Sequence, residues 1–229
     1  MKLLLVGEGI YKAIYNEFEF SPFWRITQDY LNNKDIKFII DIGASSGLSA
    51  LMFLDYPDTE KIICLEPDED NYSQLLINLK PYKDKISPFN FGIFYGSNEV
   101  KVFGVGDNSP LGYFTEEVAK NHAASWGDSV KPYEGKVFKM RELEVYSPLI
   151  PRIDLIKMDV EGSEYNIIQN SKAIHDARYL IISFHNEPYE EIKKFLEKQL
   201  AEYKFINIST LYNNTDILLE RMEDEDNIS

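Results

Sequence analysis

Residues 39–67 read IIDIGASSGLSALMFLDYPDTEKIICLEP, and this stretch decides the fold that we predict. An apolar run contains Asp41, and a loop with glycine at positions 43 and 47 follows it. A helix pattern then leads to a second apolar run, which ends at Glu66. Strand, glycine loop, helix and strand in this order are typical of a βαβ unit. The stretch therefore predicts a parallel sheet with a ligand site at the loop.

The glycine loop and Glu66 together predict a cofactor that contains adenosine. A tight glycine loop that opens a helix directs backbone N–H groups and the positive helix end at a polar or charged ligand group. A carboxylate about 20 residues further on can accept hydrogen bonds from both hydroxyls of a ribose. Glu66 occupies that position. Either feature alone would also fit an ordinary strand-to-helix turn or a solvated strand-end acid.

The second glycine position of the loop helps to distinguish a dinucleotide from S-adenosylmethionine as the cofactor. A dinucleotide site expects Gly-x-Gly-x-x-Gly, in which the second glycine lets the backbone approach a pyrophosphate. Here that position is Ser45. The loop still leaves room for the amino-acid end of S-adenosylmethionine, so methyl transfer is the leading hypothesis. Two alternatives remain open: an NAD-dependent oxidoreductase, whose ribose Glu66 would serve equally well, and a non-catalytic binding module on a methyltransferase fold.

Length and charge narrow the classes of partner. The chain has 229 residues, which suits one α/β domain. A net charge of −14 and the lack of a strong basic patch disfavour nucleic acids. Neither a secretory signal nor an apolar run of about 18 residues is present, and the single cysteine, Cys64, fits a reducing compartment. We therefore expect a cytoplasmic protein that acts on a small molecule, without a membrane or nucleic-acid partner.

Apolar runs of strand length alternate with helix patterns along most of the chain. This alternation favours a largely parallel sheet that is covered on both faces. The last two runs are joined by a short connection, which predicts an antiparallel hairpin. The predicted strands are Phe38–Ile42, Lys61–Leu65, Ser87–Ile93, Ile153–Val160, Tyr179–Phe184, Phe205–Ser209 and Asp216–Glu220, with an amphipathic helix over 189–202.

Three segments lie outside this alternation within a single predicted domain, 1–229. Residues 1–34 are rich in aromatics and are predicted to form an N-terminal helical layer. Residues 104–135 contain glycines, prolines and polar residues between two extended runs, which indicates an inserted loop segment that could form an acceptor-binding flap. Residues 223–229 form an acidic tail to which we assign no function.

The second motif is DLIKMDVEGSEYNII, residues 154–168. Its acids follow a buried strand and precede a helix pattern. In an open α/β sheet the ligand crevice lies beyond the carboxyl ends of the strands, where the strand order reverses. Asp159 and Glu161 are therefore expected to face the cofactor, although acids near a helix N-terminus can also serve only to stabilise the helix dipole.

The next predicted strand ends in SFHNE, residues 183–187, at the same expected edge. His185 is the natural candidate for a general base, with Asp159 as the second candidate. The same edge could instead gather Mg²⁺ or Mn²⁺ through Asp159, Glu161, His185 and Glu187, because oxygen-rich sites suit those ions. Spacing alone does not establish such a metal site.

With these motifs, the chain resembles the FkbM-type methyltransferases of the class I, Rossmann-like superfamily over roughly residues 36–209. The resemblance rests on IIDIGASSGLSALMF, CLEPDEDNYSQLLINL, NFGIFYGSNEVKVF and, above all, DLIKMDVEGSEYNII. It implies a seven-stranded, mostly parallel sheet with the last strand antiparallel and helices on both faces. It also implies methylation of a hydroxyl oxygen on a small molecule or sugar, with S-adenosylmethionine as the cofactor.

The resemblance assigns a role to individual residues of this chain. The implied cofactor loop consists of Asp41, Gly43, Ala44, Ser45 and Gly47, and the implied ribose-binding acid is Glu66. With Pro67, Asp159 and Glu161 from the same expected edge, these are the cofactor-binding residues that we predict. One position departs from the family pattern. Members commonly have Glu at the end of the fifth strand, near a Glu-x-His sequence, where this chain has Ser183. His185 is retained.

Overall fold

The computed structural model describes residues 21–105, 113–114, 132–185, 187–211 and 214–223. These residues form two sheets and the helices that cover them. The strands are β1 Phe38–Ile42, β2 Lys61–Leu65, β3 Ile86–Phe89, β4 Gly92–Ile93, β5 Glu99–Val105, β6 Tyr113–Phe114, β7 Pro132–Arg141, β8 Leu155–Met158, β9 Tyr179–His185, β10 Tyr203–Leu211 and β11 Asn214–Arg221.

The larger sheet has seven strands in the order β10-β11-β9-β8-β1-β2-β3. Its five strands from β9 to β3 are parallel, and β11 runs antiparallel to both β9 and β10. The fold class that the sequence predicted, including the antiparallel last strand, is confirmed. Strand β1 lies between β2 and β8, so the strand order reverses there, and ligands of open α/β sheets bind beyond the carboxyl ends at such a point.

Helices cover both faces of this sheet because successive residues of its strands point to opposite sides. Ile39 packs into the apolar cluster that includes Phe23 and Leu75, whereas Ile40 packs into the cluster that includes Ile167 and Ile192. The helices are α1 Pro22–Leu31, α2 Leu48–Phe53, α3 Glu69–Leu79, α4 Glu164–Asn170, α5 Ala173–Asp176 and α6 Tyr189–Gln199. Short 3-10 helices span Lys80–Tyr82, Leu143–Val145 and Ser147–Leu149.

The predicted strand Ser87–Ile93 is wrong, because the chain changes sheets within it. Strand β3 ends at Phe89, and the side-chain amide of Asn90 then donates to the carbonyls of Glu66 and Pro67. Residues Gly92–Ile93 pair with β7 in the smaller sheet, whose order is β4-β7-β5-β6. A continuous apolar run cannot indicate such a change of partner.

Strand β8 is also shorter than the predicted Ile153–Val160. It ends at Met158, because the chain turns sharply at Glu161 and Gly162, whose φ angles are +56° and +110°. This turn places the acids of the second motif beyond the strand end rather than along the strand.

Some predictions fall wholly or partly outside the described residues. The parts outside the described residues are 1–20 of the N-terminal layer, 106–112 and 115–131 of the inserted segment, and 224–229 of the acidic tail. Within the described part, α1 packs its buried Phe23 and Trp24 under the sheet. No helix in the described ranges is both long and apolar enough to cross a membrane.

Candidate active site

The glycine loop connects β1 to α2 and adopts a backbone that requires glycine at two positions. Gly43 has φ +74°, and a Cβ there would lie 1.9 Å from the carbonyl oxygen of Asp159. Gly47 is the N-cap of α2 with φ +88°, and a Cβ there would lie 3.0 Å from the Leu79 side chain. The loop is therefore packed directly against the end of β8 and against α3.

Ser45 also has a left-handed backbone, with φ +47°. This is the position at which a dinucleotide loop has its second glycine. The backbone N–H of Ser45 donates to Oε2 of Glu66 at 2.8 Å. The serine thus holds the loop to the end of β2, which is a different use of the position from backbone contact with a pyrophosphate.

Glu66 is 5% exposed and bridges two backbone segments. Its second oxygen, Oε1, accepts from the N–H of Asp68 at 2.9 Å. A carboxylate has about four lone-pair sites, so each oxygen retains one for a further donor. Burial raises the pKa of Glu66 to about 7. The half-buried Pro67 follows it in the chain, and Lys136 binds the nearby Asp68 at 2.6 Å.

Asp41 lies beneath the loop, completely buried, and not on the ligand side. Its carboxylate accepts from the hydroxyl of Ser49 at 2.5 Å and lies 3.4 Å from the ammonium of Lys157. Burial raises the pKa of Asp41, and the Lys157 charge opposes that effect. The side chain can therefore act on a cofactor only through the loop that it supports.

Asp159, Glu161 and His185 come together beyond the ends of β8 and β9. Nε2 of His185 is 3.7 Å from Oδ1 of Asp159, and Nδ1 of His185 is 3.4 Å from Oε2 of Glu161. The side chains are 34%, 21% and 10% exposed, in the order Asp159, Glu161, His185. Oδ1 of Asp159, Oε2 of Glu161 and Nδ1 of His185 are buried atoms without a hydrogen-bond partner. Unsatisfied buried polar atoms that converge in this way are typical of a site that binds a ligand.

The charges of this cluster determine where its protons reside. Burial raises the pKa of Glu161 to about 8, against the opposing effect of the imidazole. Burial alone would lower the pKa of His185, but Glu161 and Asp159 raise it to about 9. The two acids therefore favour the charged form of the His185 imidazole, and that imidazole in turn favours the ionised form of Glu161.

Glu164 has a structural role beside this cluster. Its carboxylate accepts from the N–H groups of Val160 and Gly162 at 3.3 and 2.9 Å, so it stabilises the turn that carries Glu161. Glu187, which the sequence placed at the same edge, is not in the group of Asp159, Glu161 and His185, whose possible ligand atoms all lie within 4.8 Å of one another.

Lys157, which the sequence motifs did not single out, is 3% exposed in the middle of β8. Its ammonium donates to the carbonyl of Gly43 at 2.7 Å and lies 3.8 Å from Asp159. Burial alone would lower the pKa of Lys157, but the carboxylates of Asp41 and Asp159 raise it above its usual value. A lysine inside an otherwise apolar strand run was the available signal, because buried charges need partners.

Comparisons with known proteins identify the family of the chain. A sequence model described as the methyltransferase FkbM domain matches residues 41–210. No curated protein sequence matches the chain significantly.

Solved structures share the fold. The methyltransferase FkbM from Methylobacillus flagellatus KT has a TM-score of 0.50 and 19% identity, over 81% of this chain and 44% of that one. This chain therefore spans less than half of that relative. TrmK from M. capricolum, solved with S-adenosylhomocysteine, has a TM-score of 0.52 and 12% identity, over 86% of this chain and 68% of that one. A fibrillarin/Nop5p complex has a TM-score of 0.52 and 15% identity, over 86% of this chain and 81% of that one.

Proposed function

The chain belongs to the methyltransferase FkbM family, and we propose that it transfers a methyl group from S-adenosylmethionine to a hydroxyl oxygen of a small molecule or sugar. The observation that carries this proposal is the contact between the glycine loop and the end of β8. The Gly43 backbone leaves no room for a Cβ beside the Asp159 carbonyl, so a cofactor on the loop would adjoin the cluster of Asp159, Glu161 and His185. Cofactor and acceptor sites thus share one edge.

The residues at this edge fit S-adenosylmethionine. The lone pairs that Glu66 retains can accept from the two ribose hydroxyls. Ser46, in the same loop, has a buried hydroxyl oxygen without a partner. TrmK, a protein of the same fold, was solved with the product form of this cofactor, which supports the assignment.

When bound, S-adenosylmethionine supplies an activated methyl group, whose transfer leaves the electron pair on sulfur and the hydroxyl proton for a base. Alignment of the acceptor oxygen and exclusion of water are then the main tasks of the protein. Both fall to the side chains beyond β8 and β9.

Asp159 is the base that we propose among the two candidates. Its carboxylate is the most exposed of the cluster, so an acceptor hydroxyl can reach it. His185 is more buried, and its raised pKa supports a charged imidazole at neutral pH. In that state it donates hydrogen bonds and cannot accept a proton, so it would orient Asp159 and the acceptor.

The same cluster fits a divalent cation, which we propose as a second occupant. Three ligand atoms lie within 4.8 Å of one another, and the carboxylates suit Mg²⁺ or Mn²⁺. Such an ion would displace the proton of His185, because a ligating imidazole must be neutral, and would hold a deprotonated acceptor oxygen.

Titration of the ligand-free protein with Mn²⁺, followed by the electron paramagnetic resonance of the free ion, tests this second proposal. Saturable binding that His185→Asn abolishes is expected. His175→Asn is the matched control, since His175 bonds to Glu202 elsewhere. Binding that survives His185→Asn would show that His185 is not a ligand and contradict this site, and no binding at all would leave Asp159 to act without a metal.

Methyl transfer itself can be tested with methyl-labelled S-adenosylmethionine and a panel of hydroxylated sugars and polyketide-like acceptors. The proposal predicts label on an acceptor oxygen, located by mass spectrometry. Asp159→Asn should lower turnover by about 10²–10⁴-fold, a far larger change than any in cofactor affinity. His185→Ala should also lower turnover with little change in that affinity.

Two results would contradict the proposal. Label found on nitrogen or carbon would assign a different acceptor class. Cofactor binding without turnover on any acceptor would favour a non-catalytic binding module.

A further inference from the structure

A charged side chain lies in the middle of the large sheet, where apolar residues are expected. Lys157 is on β8, between β1 and β9, and its side chain is 3% exposed. Its register partner on β1 is Asp41, also buried. A buried ammonium is tolerated only with partners that replace water, and Asp41, 3.4 Å away, supplies a balancing charge.

Lys157 makes more contacts than neutralisation of Asp41 requires. Its ammonium donates to the carbonyl of Gly43 at 2.7 Å, and Oδ2 of Asp159 lies 3.8 Å away. The peptide group that follows Gly43 is thereby fixed at both polar ends, because the N–H of Ala44 donates to the carbonyl of Leu65 at 3.0 Å. The next N–H, that of Ser45, is the one that binds Glu66.

We propose that Lys157 is a positioning residue for methyl transfer: its ammonium fixes the Gly43 carbonyl of the cofactor loop and balances the Asp159 carboxylate, and so sets both the loop geometry and the charge at the site. This inference rests on the proposed function. The Lys157 side chain joins two parts of the site, since Gly43 belongs to the cofactor loop and Asp159 to the cluster with Glu161 and His185.

The charge of Lys157 should affect the two forms of the cofactor differently. S-adenosylmethionine carries a positive sulfonium, whereas the product S-adenosylhomocysteine has a neutral thioether in its place. Loss of the Lys157 charge would leave Asp159 unbalanced, which favours the positive ligand over the neutral one. A general loosening of the loop would weaken both ligands by the same factor, because they share every other group.

The test compares Asp41→Asn with Asp41→Asn/Lys157→Met by calorimetric titration with each ligand. Lys157→Met alone would leave Asp41 buried without a cation and could fail to fold. In the double variant both charges are absent, and Met fills the space of the lysine. The amide oxygen introduced by Asp41→Asn can still accept from Ser49. Asp41→Asn/Lys157→Arg restores a cation and its donors. Thermal unfolding of all three variants establishes that they are folded.

The double variant with Met should bind both ligands at least about tenfold more weakly than Asp41→Asn, the loss expected for one charge-assisted hydrogen bond. The ratio of the S-adenosylhomocysteine to the S-adenosylmethionine dissociation constant should rise by at least about threefold. The Arg variant should restore that ratio.

Unchanged affinities in the folded Met variant would overturn the inference. Equal weakening of both ligands, without recovery in the Arg variant, would also overturn it and reduce Lys157 to a folding role. Failure of the wild-type protein to bind S-adenosylmethionine is a different result, which contradicts the proposed function itself.

Discussion

Ser45 and Glu161 are the two non-glycine residues with positive φ among the described residues, and both border the candidate site. A left-handed backbone at such residues costs about 1–3 kcal/mol and persists where surrounding contacts enforce it. The Ser45 N–H is held by Glu66, and the turn at Glu161 is held by Glu164. The strain therefore lies where the proposed chemistry requires fixed groups.

Ser45→Gly should raise the free energy of unfolding by up to about 1 kcal/mol, because glycine adopts positive φ without a Cβ clash. Denaturant unfolding measures this change. Ala44→Gly is the matched control at the neighbouring position, where φ is not positive, and it should lower stability by about 0.5–1 kcal/mol. Equal destabilisation by the two substitutions would contradict the argument.

Glu66 should make cofactor affinity depend on pH. Its pKa is raised from 4.5 to about 7 by burial, so the folded protein binds this proton more tightly than the unfolded chain. Tighter proton binding in the folded state adds to the free energy of unfolding. This contribution is fully present below pH 4.5 and is lost as the pH rises through about 7, where the folded protein releases the proton. Ribose hydroxyls donate to the ionised form, so binding has the opposite dependence.

Affinity for S-adenosylmethionine should consequently increase about tenfold between pH 6 and pH 8. Calorimetric titrations across this range measure it. In Glu66→Gln the affinity should be low and flat with pH. A wild-type dissociation constant that does not vary over this range would show that the Glu66 carboxylate does not bind the ribose.

At the scale of elements, the contact between the loop after β1 and the end of β8 defines the site. Gly43→Ala would place a Cβ 1.9 Å from the Asp159 carbonyl oxygen at a φ of +74°. We expect a loss of about 3–5 kcal/mol in the free energy of unfolding, from the clash and the backbone strain together.

Gly96→Ala provides the matched control for Gly43→Ala. Gly96 has φ +97° and nothing within 4 Å of the added Cβ, so only the backbone strain, about 1–2 kcal/mol, should remain. A similar loss at both positions in denaturant unfolding would mean that the loop and β8 can separate easily.

The sequence predicted β1 and β2 to the residue, because apolar runs bounded by polar residues coincide with fully paired central strands. It also predicted that Asp159, Glu161 and His185 share an edge, since parallel strands end together. It did not predict the change of sheet after Phe89 or the contacts of Lys157. Both depend on which side chains meet across distant strands, which a local pattern does not encode.

At the scale of the whole molecule, the net charge of −14 bears on the acceptor class. A strongly negative protein repels a phosphate backbone unless a basic patch opposes it. We expect no saturable binding to a mixed RNA pool at low ionic strength, measured by fluorescence anisotropy. Binding that weakens steeply with added salt would contradict the proposal of a small-molecule acceptor.

The most direct test of the proposed methyltransferase function is a calorimetric titration of the purified protein with S-adenosylmethionine, with NAD as the parallel ligand. We predict saturable binding of S-adenosylmethionine alone, weakened at least about tenfold by Glu66→Ala. The control variant Glu60→Ala, at the other end of β2 and exposed, should bind as the wild type does. Binding of NAD instead, or of neither ligand, would contradict the proposed function.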